Sequence, residues 1–167
     1  MAKAPPPPPS FLIQHPAHFI ACGLGSGLSP FAPGTAGTLF AWFSYPLLRM
    51  YFPDDAWFGG FLVLMFALGV PACHLTGQKL GVTDHGSIVW DEIVPFWTVL
   101  LFTPMNGFWQ LAAFLWFRIY DIVKPPPAAW FDREVKNGFG VMMDDVIAAG
   151  YTLVTLALAK VLIERFF

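Results

Sequence analysis

The 167-residue sequence predicts an all-α fold: a compact helical membrane protein with about five membrane-embedded helices. Three observations carry that expectation. Hydrophobic residues make up 56% of the chain and charged residues only 12%, about half the charge of an ordinary soluble domain. Aromatic residues reach 17%, with 18 Phe and 7 Trp, more apolar surface than one water-soluble core of this size can hide. The apolar residues fall into five stretches of roughly 16–22 residues, close to the ~20 that cross a hydrocarbon core. The formal net charge of -2 leaves no electrostatic footprint for nucleic acid.

Residues 1–14, with the run Pro5 to Pro9 and one cation, Lys3, read as a disordered proline-rich leader outside a single domain over 15–167. A short segment near 16–24 is expected on or in the membrane surface. The five main helices are expected over 36–52, 57–74, 87–103, 107–123 and 144–165. Residues 53–56 and 103–106 are tight turns without a cation. Residues 75–86 and 124–143 are longer and carry Lys79, Lys124, Arg133 and Lys136. The positive-inside rule therefore places the long connectors in the cytoplasm, with Arg49, Lys160 and Arg165 as exceptions. Trp57 and Trp109 beside the tight turns, and Trp130 near the other face, form the expected aromatic belt. Cys22 and Cys73 belong to no CxxC pair and read as buried free thiols.

Charge is concentrated. Thirteen of the 20 charged residues lie between Lys79 and Asp145, and the topology puts them on one side. An ionised side chain inside a bilayer costs at least about 2.5 kcal/mol, so Asp91, Glu92, Arg118 and Asp121 should face one another, a cation or water. In Asp84-His85-Gly86-Ser87-Ile88-Val89-Trp90-Asp91-Glu92, Asp84 or Ser87 can cap the third helix. Capping alone does not account for two adjacent acids followed by an apolar run. In Phe117-Arg118-Ile119-Tyr120-Asp121-Ile122-Val123-Lys124-Pro125, Arg118, Asp121 and Lys124 share a helix face. That face is either an interfacial ion-pair ladder or two cations for a phosphate with an acid for a metal. Farther on, Asn137-Gly138-Phe139-Gly140 reads as a mobile turn, with Asp144-Asp145 at the start of the last helix.

Near the N-terminus, Gly23-Leu24-Gly25-Ser26-Gly27-Leu28-Ser29-Pro30 and Pro33-Gly34-Thr35-Ala36-Gly37-Thr38 combine glycines with the Thr35 and Thr38 hydroxyls beside a helix start. That pattern suits an anion, or a plain helix connection. It is not a Walker A loop. His74 and His85 lack zinc-ligand spacing, and there is no GxSxG elbow. Hard oxygen donors suit Mg²⁺. Carboxylates, cations and an anion-friendly loop at one face suggest phosphoryl chemistry on a lipid head group. Intramembrane acids also serve cation or proton transporters, the main alternative. A non-catalytic membrane subunit is a third reading.

Together these segments, with Trp130-Phe131-Asp132-Arg133 and Gly140-Val141-Met142-Met143-Asp144-Asp145-Val146-Ile147-Ala148-Ala149-Gly150, resemble the phosphatidylglycerophosphatase A family over roughly residues 20–150. The sequence departs from the family pattern at Pro95, where glycine is usual, and at Asn137. The resemblance implies a multi-pass protein of the bacterial inner membrane with its active site on the cytoplasmic side. It implies Mg²⁺-dependent removal of the terminal phosphate of phosphatidylglycerophosphate. The expected catalytic residues are Asp91, Glu92, Asp121 and Asp145. The expected metal ligands are Asp84, Asp91, Glu92, Asp121, Asp144 and Asp145. Arg118, Lys124 and Arg133, with Thr35 and Thr38, are expected to hold the phosphate, and Asp145 or Glu92 to act as general base. Water and an aspartate nucleophile both remain open, as does oligomeric state.

Overall fold

The computed structural model describes residues 5–166, all of its regular structure helical. The first four residues of the leader lie outside the described residues. From Pro9 the chain makes a 3-10 turn, Pro9–Phe11, and Phe11 is buried with its ring stacked 4.3 Å from His18. Packing against the body of the protein thus begins a few residues before position 15.

The helices are α1 (Pro16–Ala21), α2 (Pro33–Tyr51), α3 (Asp55–Leu80), α4 (Trp90–Phe102), α5 (Gly107–Val123), α6 (Ala128–Glu134) and α7 (Gly138–Phe166). The limits of α5 coincide with the sequence expectation. The Asn106 side chain caps its first turn, and Lys124 turns left-handed ahead of Pro125. Four other limits differ for local reasons. α2 starts at Pro33, whose fixed φ and missing N–H suit a first helical position. α3 continues through Pro71 to Leu80 and stops at Gly81, in the left-handed region at φ 74°. α4 starts at Trp90 rather than 87, with Val89 at its N-cap and no side-chain cap, so neither Asp84 nor Ser87 caps it. Ser87 instead donates its backbone N–H to His85 Nδ1 at 3.1 Å.

The largest difference is at α7. Gly138 and Gly140 lie inside its first turn instead of forming a mobile linker. The Asn137 side chain accepts from the N–H groups of Phe139 and Gly140 at 3.0 and 3.1 Å. Gly138 is required because a Cβ there would overlap the Val70 carbonyl of α3. Asp144 and Asp145 therefore sit in the second turn of α7, deeper than the expected helix start. The connector before α7, expected as loop, also contains α6.

α4 is the central element. Trp90, Ile93, Val94, Phe96, Trp97, Val99 and Leu100 are all buried, with α2, α3, α5 and α7 packed around them. Trp97 Nε1 donates to the Ala41 carbonyl at 2.9 Å, and Trp90 Nε1 donates to the Met65 carbonyl at 3.1 Å. α4 is thereby fastened to α2 and α3 with its indole N–H groups satisfied. Across the other pair, Trp42 Nε1 donates to Gln110 Oε1 at 2.9 Å, joining α2 to α5.

Two helices are long and apolar enough to cross a membrane, Asp55–Leu80 and Gly138–Phe166. The 13 residues of α4 extend only about 20 Å, short of a ~30 Å hydrocarbon core. The outer faces of α3, α5 and α7 are apolar and exposed at Val63, Leu64, Leu115, Ile119, Val154 and Leu158. Such faces suggest lipid contact.

Candidate active site

Four helices deliver polar side chains to one end of the bundle: the starts of α2, α4 and α7 and the end of α5. Arg118 is the hub of a first cluster. Its Nη1 pairs with Glu92 Oε2 at 2.8 Å and Asp121 Oδ2 at 2.6 Å. Thr38 Oγ1 lies 3.3 Å from Glu92 Oε2 and 3.4 Å from Arg118 Nη1. Glu92, Asp121 and Asp145 each place a carboxylate oxygen within 4.8 Å of the other two. Asp91 and Asp145 are buried. Their Oδ1 atoms and Arg118 Nε have no hydrogen-bond partner. Unsatisfied buried polar atoms are costly, and three of them at one end of the bundle make this the candidate site.

A second cluster surrounds Lys124. Its Nζ lies 2.6 Å from Asp144 Oδ2, 2.7 Å from Asp132 Oδ1 and 3.8 Å from Asp84 Oδ2. The three acids come from α7, α6 and the loop 81–89, so one ammonium ties three segments to the end of α5. Burial opposes its charge, but the attraction of Asp144, then of Asp132 and Asp84, holds the ammonium above its ordinary pKa. Adjacent Asp144 and Asp145 thus diverge, one to Lys124 and the other to the Glu92–Asp121 pair. The Asp145 N–H caps Asp144 Oδ1 at 3.0 Å.

Of the residues expected from the sequence, Thr38, Glu92, Arg118, Asp121 and Asp145 gather around the first cluster, and Asp91 lies close to Asp84 as well as to Glu92. Asp84, Lys124 and Asp144 form the second. Two are not brought in. Arg133 is exposed, and its Nε donates to the Ala129 carbonyl of its own helix at 3.1 Å. Thr35 is half-buried, and its hydroxyl bonds to no described residue. Asp132 and Gly34 had no assigned role in the sequence reading. Asp132 follows an aromatic pair in a cation-rich connector, which was its only signal. Gly34 lies where an added Cβ would overlap the Glu92 carboxylate. His85 is buried, its Nδ1 accepts from the Ser87 N–H, and burial holds its pKa down against the pull of Asp84.

Substituting Lys124 with Met should cost roughly 3 kcal/mol, because Asp144 would be left buried and unpaired. Thermal unfolding of the purified protein reads this directly. Lys124→Arg should retain most of the stability.

The class is now defined: an all-helical protein with an apolar exterior and an arginine-centred carboxylate pocket at one end. The comparisons make it specific. Residues 19–160 match the family described as Phosphatidylglycerophosphatase A. A phosphatidylglycerophosphatase A of Escherichia coli (strain K12) is 45% identical over 137 residues, 81% of this chain and 78% of that relative. One of Haemophilus influenzae is 44% identical over 149 residues, 86% of this chain and 88% of that relative. A protein of Bacteroides thetaiotaomicron, provisionally named a phosphatidylinositol-3-phosphatase, is 42% identical over 158 residues, 91% of this chain and 96% of its own length. No solved structure matches. The chain belongs to the phosphatidylglycerophosphatase A family, a family of phosphatases.

Proposed function

We propose that the chain hydrolyses phosphatidylglycerophosphate to phosphatidylglycerol and inorganic phosphate, with Mg²⁺ held by the first cluster. The observation that carries the reading is the convergence of Glu92, Asp121 and Asp145 around Arg118. Seven carboxylates at this end (Asp84, Asp91, Glu92, Asp121, Asp132, Asp144 and Asp145) face two cations, Arg118 and Lys124. A phosphate dianion would be repelled from such a pocket unless a divalent ion joined it. The donor set is all hard oxygen, as Mg²⁺ prefers, and the unpartnered Asp91 and Asp145 oxygens have lone pairs to offer. When bound, the ion polarises the phosphoryl oxygens and offsets charge on the leaving alkoxide.

The chain's own groups then have distinct tasks. Arg118 holds the phosphoryl oxygens. Thr38 and Arg118 fix the Glu92 carboxylate. Asp145, with Oδ1 free, accepts the proton of the attacking water. As the water oxygen bonds to phosphorus the phosphorus–oxygen bond to glycerol breaks, and the proton taken by Asp145 passes to the leaving glycerol oxygen. Lys124, engaged by three acids, acts as their counter-ion and not as a phosphate ligand.

The reading places the protein in the bacterial inner membrane with this pocket at the cytoplasmic face. α2, α4 and α5 would be embedded beside the two longer helices. The apolar exterior and the cations of the connectors 75–86 and 124–143 support it. Transport of a cation or proton is not favoured. A pathway needs polar groups through the midplane, and the middle of α4 is buried among Phe96, Val99 and Leu100.

The test is phosphate release from phosphatidylglycerophosphate by the purified chain. Chelation of divalent ions should abolish release, and added Mg²⁺ should restore it. Full activity in chelator would overturn the metal role. No release under any condition, or release only from a phosphoinositide, would overturn the substrate.

A further inference from the structure

A second polar pocket lies away from the acidic clusters, where α1 and the preceding turn meet the last turns of α3. It is a cavity of about 320 Å³ lined by Gln14, His15, His18, Leu75 and Lys79. Its chemistry is the opposite of the active site. Three basic side chains converge and no acid lines it. Lys79 pairs with no carboxylate among the described residues. One wall is fixed by packing at His18, while Gln14, His15, Leu75 and Lys79 are exposed around it. His18 is buried under Phe11, and its Nδ1 lies 3.0 Å from Thr76 Oγ1. Thr76 Oγ1 donates in turn to the Ala17 carbonyl at 3.4 Å. That chain makes Nδ1 the donor of the His18 ring and leaves Nε2 an acceptor, so His18 shapes the wall and does not bond a phosphate. His15 Nδ1 accepts from the Ala17 N–H at 3.1 Å, so its Nε2 carries the proton and is a donor. Burial, then His15 and Lys79, hold the His18 pKa down, as expected of like groups gathered without a counter-ion.

We propose that this pocket binds the phosphate of an anionic phospholipid at a site separate from the catalytic one. Lys79, His15 and the Gln14 amide face the phosphate, and His18 closes the inner wall. A lipid fits better than a free anion because the rim is apolar. Leu75 lines the cavity on a helix long enough to span a membrane, and Phe19 and Ile13 are exposed beside it. Lysine at a membrane surface favours anionic head groups for the same reason.

The test uses the full chain in non-ionic detergent with chelator present, so that the uncompensated carboxylates of the catalytic pocket repel anions. Short-chain phosphatidylglycerol, short-chain phosphatidylcholine and inorganic phosphate are titrated separately by calorimetry. Phosphatidylglycerol should bind with one saturable site, more tightly than either comparator. Lys79→Gln and His15→Gln should each weaken it about tenfold, the loss of one charge-assisted or buried hydrogen bond. Lys79→Arg should retain binding, and all three variants should keep the parent turnover of phosphatidylglycerophosphate. Equal affinity in parent and Lys79→Gln would overturn the site. Phosphatidylcholine binding as tightly would overturn the charge selection, and inorganic phosphate saturating at the same concentration would overturn the lipid.

Discussion

Asp145→Asn should lower turnover of phosphatidylglycerophosphate about a thousandfold while making the metal-free protein more stable. The opposite signs follow from the geometry. Asp145 is 3% exposed, its Oδ1 has no partner, and it shares a 4.8 Å cluster with Glu92 and Asp121. Arg118 reaches those two but forms no ion pair with Asp145 among the described residues. Without a divalent ion, the Asp145 charge is therefore mostly a repulsive burden. Replacing it with an isosteric amide removes that repulsion, worth about 1 kcal/mol or more. The same change removes an anionic oxygen where a cation and an attacking water must be held. Asp144→Asn, one residue away, should behave in the reverse sense. It breaks a 2.6 Å contact with Lys124, so stability should fall, and turnover should drop only about tenfold because Asp144 lies outside the triad. Thermal unfolding in chelator and steady-state kinetics with Mg²⁺ measure both quantities. If the two variants shift stability in the same direction, the division into two clusters is wrong.

That division shows how far a sequence can be read. The gathering of acids at one end followed from counting charges against five apolar stretches, because α2, α3, α4, α5 and α7 alternate direction and bring the starts of α2, α4 and α7 to the end of α5. The identity of the α5 cations followed from their spacing on one face. The divergence of Asp144 and Asp145 was not legible. It depends on how α7 is seated in the bundle, where Gly138 lets the helix approach the Val70 carbonyl of α3. Read as a breaker, that glycine displaced the expected start of α7 to residue 144. Arg133 misled for a related reason: a cation in a phosphate-like motif carries no direction, and α6 turns it outward. α6 itself, with seven residues, is too short to show a helical period. At α4 the apolar run reflects burial among neighbouring helices, which composition does not distinguish from a lipid-facing run.

Gly34→Ala should lower activity about 100-fold with little loss of stability. A Cβ at position 34 would overlap the Glu92 carboxylate, touching both oxygens and Cδ. The backbone of α2 cannot retreat easily, because Gly37, one turn on, is already packed against Val89 and Thr38 is fully buried. Glu92 must move instead, and in moving it lengthens its 2.8 Å contact with Arg118 and its 3.3 Å contact with Thr38. A displacement of about 1 Å in a reacting constellation is worth about 100-fold in rate. Alanine meanwhile raises helix propensity by up to about 1 kcal/mol, offsetting the strain, so the defect should be kinetic. Gly59→Ala is the control. It lies in α3 with open space around its Cβ and should leave activity unchanged. The stronger test is a rescue. Glu92→Asp shortens the side chain by one methylene and should itself be impaired, but in the Gly34→Ala background it makes room for the new methyl. The activity of the double variant should therefore be at least about fivefold higher than multiplication of the two single defects gives. Strict multiplication of the two defects would mean that Gly34 and Glu92 do not meet, and the placement of the α2 start over the carboxylate would have to be abandoned.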